Sequence, residues 1–192
     1  PIASGIITKK QALIFGLITS IISIIALFIF SNFIAALILT STILFYVLIY
    51  TIWLKRKTPQ NIVIGGAAGA LPPVIGWAIA TGGISLEPII LFLIIFFWTP
   101  SHFWSLSLYR SDDYEKAKIP MLPVISGVRV TKINIFIYSI IYALTVASPY
   151  IFGFYGLSYF IVSTILSLYY IYLCYNLLKE ENTHQELKIS KK

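Results

Sequence analysis

Charge is what this chain lacks most. Of its 192 residues, 11% are Asp, Glu, Lys or Arg, against about 25% in an ordinary soluble domain. Apolar side chains fill the deficit, at 58%. A chain so poor in charge cannot cover a surface facing water, so its solvent is the bilayer. Cysteine is almost absent. The single Cys174 excludes an intrachain disulfide and says nothing about redox compartment; its plain reading is a small apolar packing residue in a span. There is no basic soluble segment, which excludes nucleic acid as the partner behind the net charge of +7. No internal repeat or low-complexity segment stands out. No charged stretch precedes the first apolar run and the first residue is Pro1, so no signal peptide is expected in this stretch, which reads as a piece of a longer protein.

What fills the chain is long apolar runs. Inside hydrocarbon every span must satisfy its own backbone hydrogen bonds, which favours helices, and about 20 apolar residues cross the membrane. Six runs qualify: 11–30, 33–53, 62–80, 89–108, 133–151 and 155–178. The expected fold is all-α, a polytopic transmembrane helix bundle forming one domain over 1–192. Thr8 and Gln11 have the spacing of a capping box that opens the first span. Ser31-Asn32 makes a hairpin-tight link, and Thr81-Gly82-Gly83 closes the third span.

The basic residues are one-sided. Lys9 and Lys10; Lys55, Arg56 and Lys57; Arg110, Lys116, Lys118, Arg129 and Lys132; and Lys179, Lys188, Lys191 and Lys192 make up all 14 of the Lys and Arg. All fall on one side, whereas the loops near Ser31, 81–88 and Phe152-Gly153 hold none. The positive-inside rule makes the basic side cytoplasmic, or matrix, so the net charge is mostly a topology signal. The stretch 179–192 is polar, mixed in charge, and reads as a frayed or shortened tail.

The fourth span carries the most chemistry. His102 lies inside it, and an ionisable group in hydrocarbon is a functional hypothesis by default. On a helix His102, Leu106, Tyr109 and Asp113 share one stripe, with Arg110 and Asp112 beside it. At a rise of about 1.5 Å per residue, His102 sits about 16 Å below Asp113. Pro100 must either kink this helix or begin a new half-helix. Taken alone, His102 could simply bond a neighbouring helix, and Asp112 and Asp113 could be a solvated helix end. Together they link carboxylates suited to Mg²⁺ at the rim to an imidazole within the membrane. Lys55, Arg56 and Lys57 lie on the same side. Beside two carboxylates they form a candidate phosphate site, though an anchor for lipid head groups reads equally well. Asn61 and Gln60 stand at a helix entrance, where they either cap it or reach a ligand. Trp98, Phe103 and Trp104 either belong to an interfacial belt or line a pocket for a flat ligand.

The third span is unusual. Gly65, Gly66, Gly69 and Gly76 let backbones approach closely, and Pro72-Pro73 should bend it in mid-membrane. Tight packing accounts for the glycines, and a cavity wall accounts for glycines and prolines together. After the acidic segment, Ile119-Pro120-Met121-Leu122-Pro123 forbids a regular helix and sets a stiff turn.

Two stretches carry a resemblance: LKRKTPQNIVIGGAAGALPPVIGW (54–77) and WTPSHFWSLSLYRSDDYEKAKIPMLPV (98–124). They closely resemble the protoheme IX farnesyltransferase, or heme O synthase, family of the intramembrane aromatic prenyltransferase superfamily, which also holds the 4-hydroxybenzoate polyprenyltransferases. The likeness runs from Pro1 to about Val130 and more loosely beyond. The His-Phe-Trp and Ile-Pro-Met-Leu-Pro elements resemble the heme branch. The resemblance implies a bundle of about nine helices around a cavity, of which this chain holds six. It implies transfer of farnesyl from farnesyl diphosphate to a vinyl group of heme B, giving heme O, with Mg²⁺ as cofactor. It further implies that Asp112 and Asp113 hold the metal and act in catalysis with His102. Lys55, Arg56, Arg110, Lys116 and Asn61 become diphosphate partners. His102, Trp98, Phe103 and Tyr109 become contacts for heme or the prenyl chain, His102 as axial ligand or base. The implied setting is the inner (cytoplasmic) membrane, or the mitochondrial inner membrane in a eukaryote, with the bilayer, heme A synthase or terminal oxidase assembly proteins as partners.

The chain departs from the family pattern at several points. The family's first acidic motif is expected just ahead of Pro1, with two helices missing at the front and one at the back, so the chain alone is expected to be inactive. Ser101 stands where Pro is expected and Lys118 where Gly is expected. Two other functions stay open: a prenyltransferase for quinone- or chlorophyll-type acceptors, and a transporter or channel whose broken third span and His102 form a permeation path. A transporter should carry charge deep in several spans, whereas here charge clusters at one mouth.

Overall fold

In the computed structural model, residues 1–2 and 4–180 are described. Lys188, Lys191, Lys192 and nearly all of the expected polar tail lie outside the described residues. The elements are α1 (Lys9–Phe30), α2 (Phe33–Leu44) continuing into a π-helical segment (Phe45–Leu54), α3 (Asn61–Gly69), α4 (Pro72–Thr81), α5 (Leu86–Tyr109), α6 (Ser111–Lys116), α7 (Leu122–Ile151) and α8 (Leu157–Lys179). Among the described residues there is no strand. Six stretches are long and apolar enough to cross a membrane: Lys9–Phe30, Phe33–Leu54, Asn61–Thr81, Leu86–Tyr109, Leu122–Ile151 and Leu157–Lys179. The chain is a multi-pass membrane protein.

Local chemistry sets the helix ends. The Thr8 hydroxyl accepts from the Gln11 N–H at 3.2 Å, and the Thr8 N–H donates to the Gln11 side chain at 2.8 Å, completing the expected capping box. Asn32 caps α2 by accepting from the Ala35 N–H at 2.9 Å, and its amide donates to the Ala78 carbonyl at 2.7 Å. One side chain thus starts a helix and ties the first hairpin to α4. The third span breaks at Ala70-Leu71, just before the two prolines, which open α4 where missing N–H groups cost nothing. Pro100 neither starts a helix nor ends one. It is buried within a continuous α5.

Two backbone features were not expected. The helix after the acidic segment begins at Leu122, not at position 133, and bends at Gly127 (φ 82°, ψ 167°). That region of backbone space is essentially open to glycine alone. The residues on both sides of the bend, Leu122 and Val128, pack into the core. Pro123 serves as a helix-opening proline, so the stiff turn is confined to the residues before Leu122. Lys118 has a positive φ of 53°, the left-handed conformation that glycine takes most easily. The position where the family pattern calls for Gly therefore has a backbone that suits Gly.

The helices pack as a sequence of neighbours: α1 on α2, α2 on α4, α3 and α4 on α5, α5 on α7, and α7 on α8. α1 buries no residue. The packed core lies toward the basic end. It joins Trp104 and Leu108 of α5, Leu122, Val128 and Ile135 of α7, and Cys174 of α8, with Ile62 and Val63 of α3 against it. Cys174 is thus the buried packing residue that composition implied. Lipid tails are as apolar as leucine, so small and hydroxyl residues supply the contacts between spans. Ser101 and Tyr170 share a 2.8 Å hydrogen bond from α5 to α8, worth about 0.6 kcal/mol on the scale of measured membrane cases.

Candidate active site at the basic end

At the basic side lie, among others, the end of the π-helical segment, the start of α3, the end of α5 with α6, and the start of α7. Asn61 joins them. It is 1% exposed, and its amide donates to the Lys55 carbonyl at 3.2 Å and the Pro120 carbonyl at 3.4 Å. The tie crosses 59 residues of sequence. It holds the basic segment 55–57 against the turn that follows α6. Both amide protons are directed at carbonyls, so Asn61 neither caps α3 nor has a donor left for a ligand. Its Oδ1 is buried without a hydrogen-bond partner, a state that costs about 1–3 kcal/mol.

Lys55 is half-buried, and its Nζ lies 5.8 Å from the centre of the Tyr50 ring. Arg56 and Lys57 are exposed beyond it. On the other side of the tie, Asp112 and Asp113 occupy the first turn of α6, and both are exposed to solvent with Arg110 and Lys116. Acidic residues in a first helical turn also favour the helix dipole. The Asn61 bonds thus set the start of the basic loop beside the turn that follows the acidic helix.

Adjacent aspartates fit a magnesium ion of a particular kind. Mg²⁺ commonly takes one or two carboxylates and fills its shell with water and substrate phosphate oxygens. Among the described residues no three His, Cys, Asp or Glu side chains gather into one group. Two exposed carboxylates alone fall short of a closed protein cage, so a metal here would need further oxygen ligands from water or a bound molecule.

The helix that leads from the acidic segment into the membrane is α5, which has two unlike faces. Thr99, Pro100, Ser101, Trp104, Ser107 and Leu108 are buried. Trp98, His102, Phe103, Leu106 and Tyr109 are exposed, Tyr109 to 81%. The His102 ring stacks on Trp98, with centres 4.3 Å apart and planes 17° apart, and meets the Phe103 ring edge-on at 5.2 Å. Trp98, His102 and Phe103 thus form one aromatic group. Trp104 is separate: it is fully buried against Tyr138 in a T-shaped contact at 5.3 Å. It belongs to the core and does not line a pocket.

Lys132 was grouped with the basic loops, but it lies within α7. It is 3% exposed, and its Nζ donates to the Glu180 carbonyl at 2.7 Å, at the end of α8. A cation at a helix C-terminus meets the negative end of the dipole. The residue locks α7 to α8, and no sequence signal distinguished it from a loop lysine.

Comparison with known proteins adds chemical identity. The sequence profile of the UbiA prenyltransferase family matches residues 1–190. A protein named protoheme IX farnesyltransferase from Pelagibacter ubique is 63% identical over 93% of this chain and 59% of its own length. Proteins of the same name from Bartonella bacilliformis and Bartonella henselae are 54% and 52% identical over 100% of this chain, each across 62% of its own length. The chain thus spans about three-fifths of the length of these curated relatives. No solved structure matches it.

Proposed function

The chain belongs to the UbiA prenyltransferase family, and we propose that the full-length protein carrying it transfers the farnesyl group of farnesyl diphosphate to a vinyl group of heme B, giving heme O. The observation that carries this reading is the Asn61 tie. It supports the reading by holding the start of the basic segment near the turn that follows the acidic helix, at the end of α5 that carries the exposed aromatic residues. The choice of acceptor follows the name that its relatives bear.

In this reading Lys55, Arg56, Arg110 and Lys116 receive the diphosphate charge, and Asp112 with Asp113 would hold Mg²⁺. When bound, the metal supplies neutralisation of the leaving group. The C1–O bond of farnesyl diphosphate breaks and its electron pair leaves with the diphosphate. A vinyl carbon of heme B bonds to C1, the neighbouring carbon takes hydroxyl from water, and a proton is released. Trp98, Phe103 and Tyr109 present aromatic surface to the porphyrin and the prenyl chain and keep bulk water away. His102 serves the acceptor, as iron ligand or as acceptor of the released proton. The basic ends face the cytoplasm, in an inner membrane that places the product near heme A synthase or terminal oxidase assembly.

The test uses the full-length protein in liposomes with farnesyl diphosphate, Mg²⁺ and heme B. Heme O appears by mass spectrometry if the reading holds. Prenylated quinone precursors without heme O would overturn the choice of acceptor. A His102→Ala protein separates the roles of the histidine: a changed heme absorption spectrum marks an iron ligand, and a changed pH profile marks a base.

A further inference from the structure

We infer that Tyr50 is a positioning residue, holding the Lys55 ammonium at the mouth by means of the π-helical turn between them. The inference rests on the reading of Lys55 as a diphosphate partner. In an α-helix, residues five apart point about 140° away from each other. Here the Lys55 N–H donates to the Tyr50 carbonyl at 2.7 Å, an i→i−5 bond. The Thr51 hydroxyl repeats the pattern to the Tyr46 carbonyl at 2.8 Å. The wider turn brings residues five apart onto nearly one face, so Lys55 Nζ comes to lie 5.8 Å from the Tyr50 ring centre. π-helical turns are rare and occur often at functional sites.

The ring itself is fixed from two sides. Tyr46 packs on it with centres 5.1 Å apart. From the third span, Gly65 admits it: a Cβ there would stand 2.6 Å from the Tyr50 ring. Tyr50 is 9% exposed, so the ring has little room to retreat. The glycine thus gives the aromatic its place, and the aromatic gives the lysine its direction. Lysine on its own is a flexible stem with high rotamer entropy. A ring beneath the ammonium keeps the charge at the mouth and preorganises it for an anion.

The test is a set of variants of the full-length protein: Tyr50→Leu, Tyr50→Phe and Gly65→Ala, each alone and combined with Lys55→Met. Both KM and the equilibrium Kd for farnesyl diphosphate are measured. Tyr50→Leu and Gly65→Ala should raise them by about three- to tenfold with kcat nearly unchanged, and Tyr50→Phe should restore most of the affinity. In the Lys55→Met background neither should add to the defect, the mark of a pair that acts together. Effects that persist undiminished without Lys55, or that fall on kcat and folded yield alone, would overturn the inference. An unaltered protein that fails to bind farnesyl diphosphate would overturn the proposed function itself. Binding without heme O formation removes only the acceptor, and the cycle is still read on Kd.

Discussion

The two faces of α5 follow opposite rules within the same 24 residues. The buried face is built largely from Thr, Pro and Ser, with Trp104 and Leu108 sunk among the residues of α7 and α8. The opposite face carries Trp98, His102, Phe103, Leu106 and Tyr109, all large and all without a covering helix among the described residues. Small residues let helix backbones approach in a membrane. Large aromatic groups beside a histidine have no such use in packing, and here they lead directly to the acidic mouth. Changes on the first face should therefore act on stability, and changes along the second on chemistry.

The largest effect belongs to the mouth above the open face. In the full-length protein Asp113→Asn should lower heme O formation by at least about 100-fold, the scale of a lost metal or charge contact in the transition state. Its thermal unfolding in detergent should be unchanged. Full activity, measured by mass spectrometry, would remove Asp113 from the proposed metal site.

On the packed face, Trp104→Ala should cost about 3–5 kcal/mol of stability through the cavity left behind. Denaturant titration in mixed micelles reads this out, and a loss under about 1 kcal/mol would break the contrast between the faces. Gly127→Ala should cost about 1–3 kcal/mol, since alanine resists the backbone on which α7 bends to reach that face. Lys118→Gly should change stability by about 1 kcal/mol in the favourable direction, by relieving the left-handed residue in the turn after α6. The smallest shift in stability is expected on the open face: His102→Ala should stay within about 0.5 kcal/mol while heme O formation falls. A large destabilisation there would mean that the histidine is a packing residue.

Much of this was legible in sequence because the bilayer imposes a coarse code. Span number and direction follow from apolar length and from the placement of Lys and Arg, and the Thr8-Gln11 cap and the Pro72-Pro73 break follow from local backbone rules. The site was legible as residue types: acid beside base, with one imidazole below. Asn61 was read as a possible cap or ligand because spacing cannot say which carbonyls will lie near an amide 59 residues away from one of them. Lys132 looked like a loop cation because a buried ammonium bonded to a carbonyl has no periodic signature. The π-helical turn was invisible, since the change from 4 to 5 residues between bonded groups leaves hydropathy untouched.

The sequence by itself determined that this protein lives in a membrane, which end of each helix faces the basic side, and which residue types gather at that side. These follow from transfer energies and chain-local geometry, which act wherever the residues are. The tertiary structure alone decided which residues meet: Asn61 with Pro120, Tyr50 with Gly65 and Lys55, Trp104 with the core, and His102 with the open face. Contacts between distant segments depend on how helices rotate and approach, and that is set by the fit of all the spans at once.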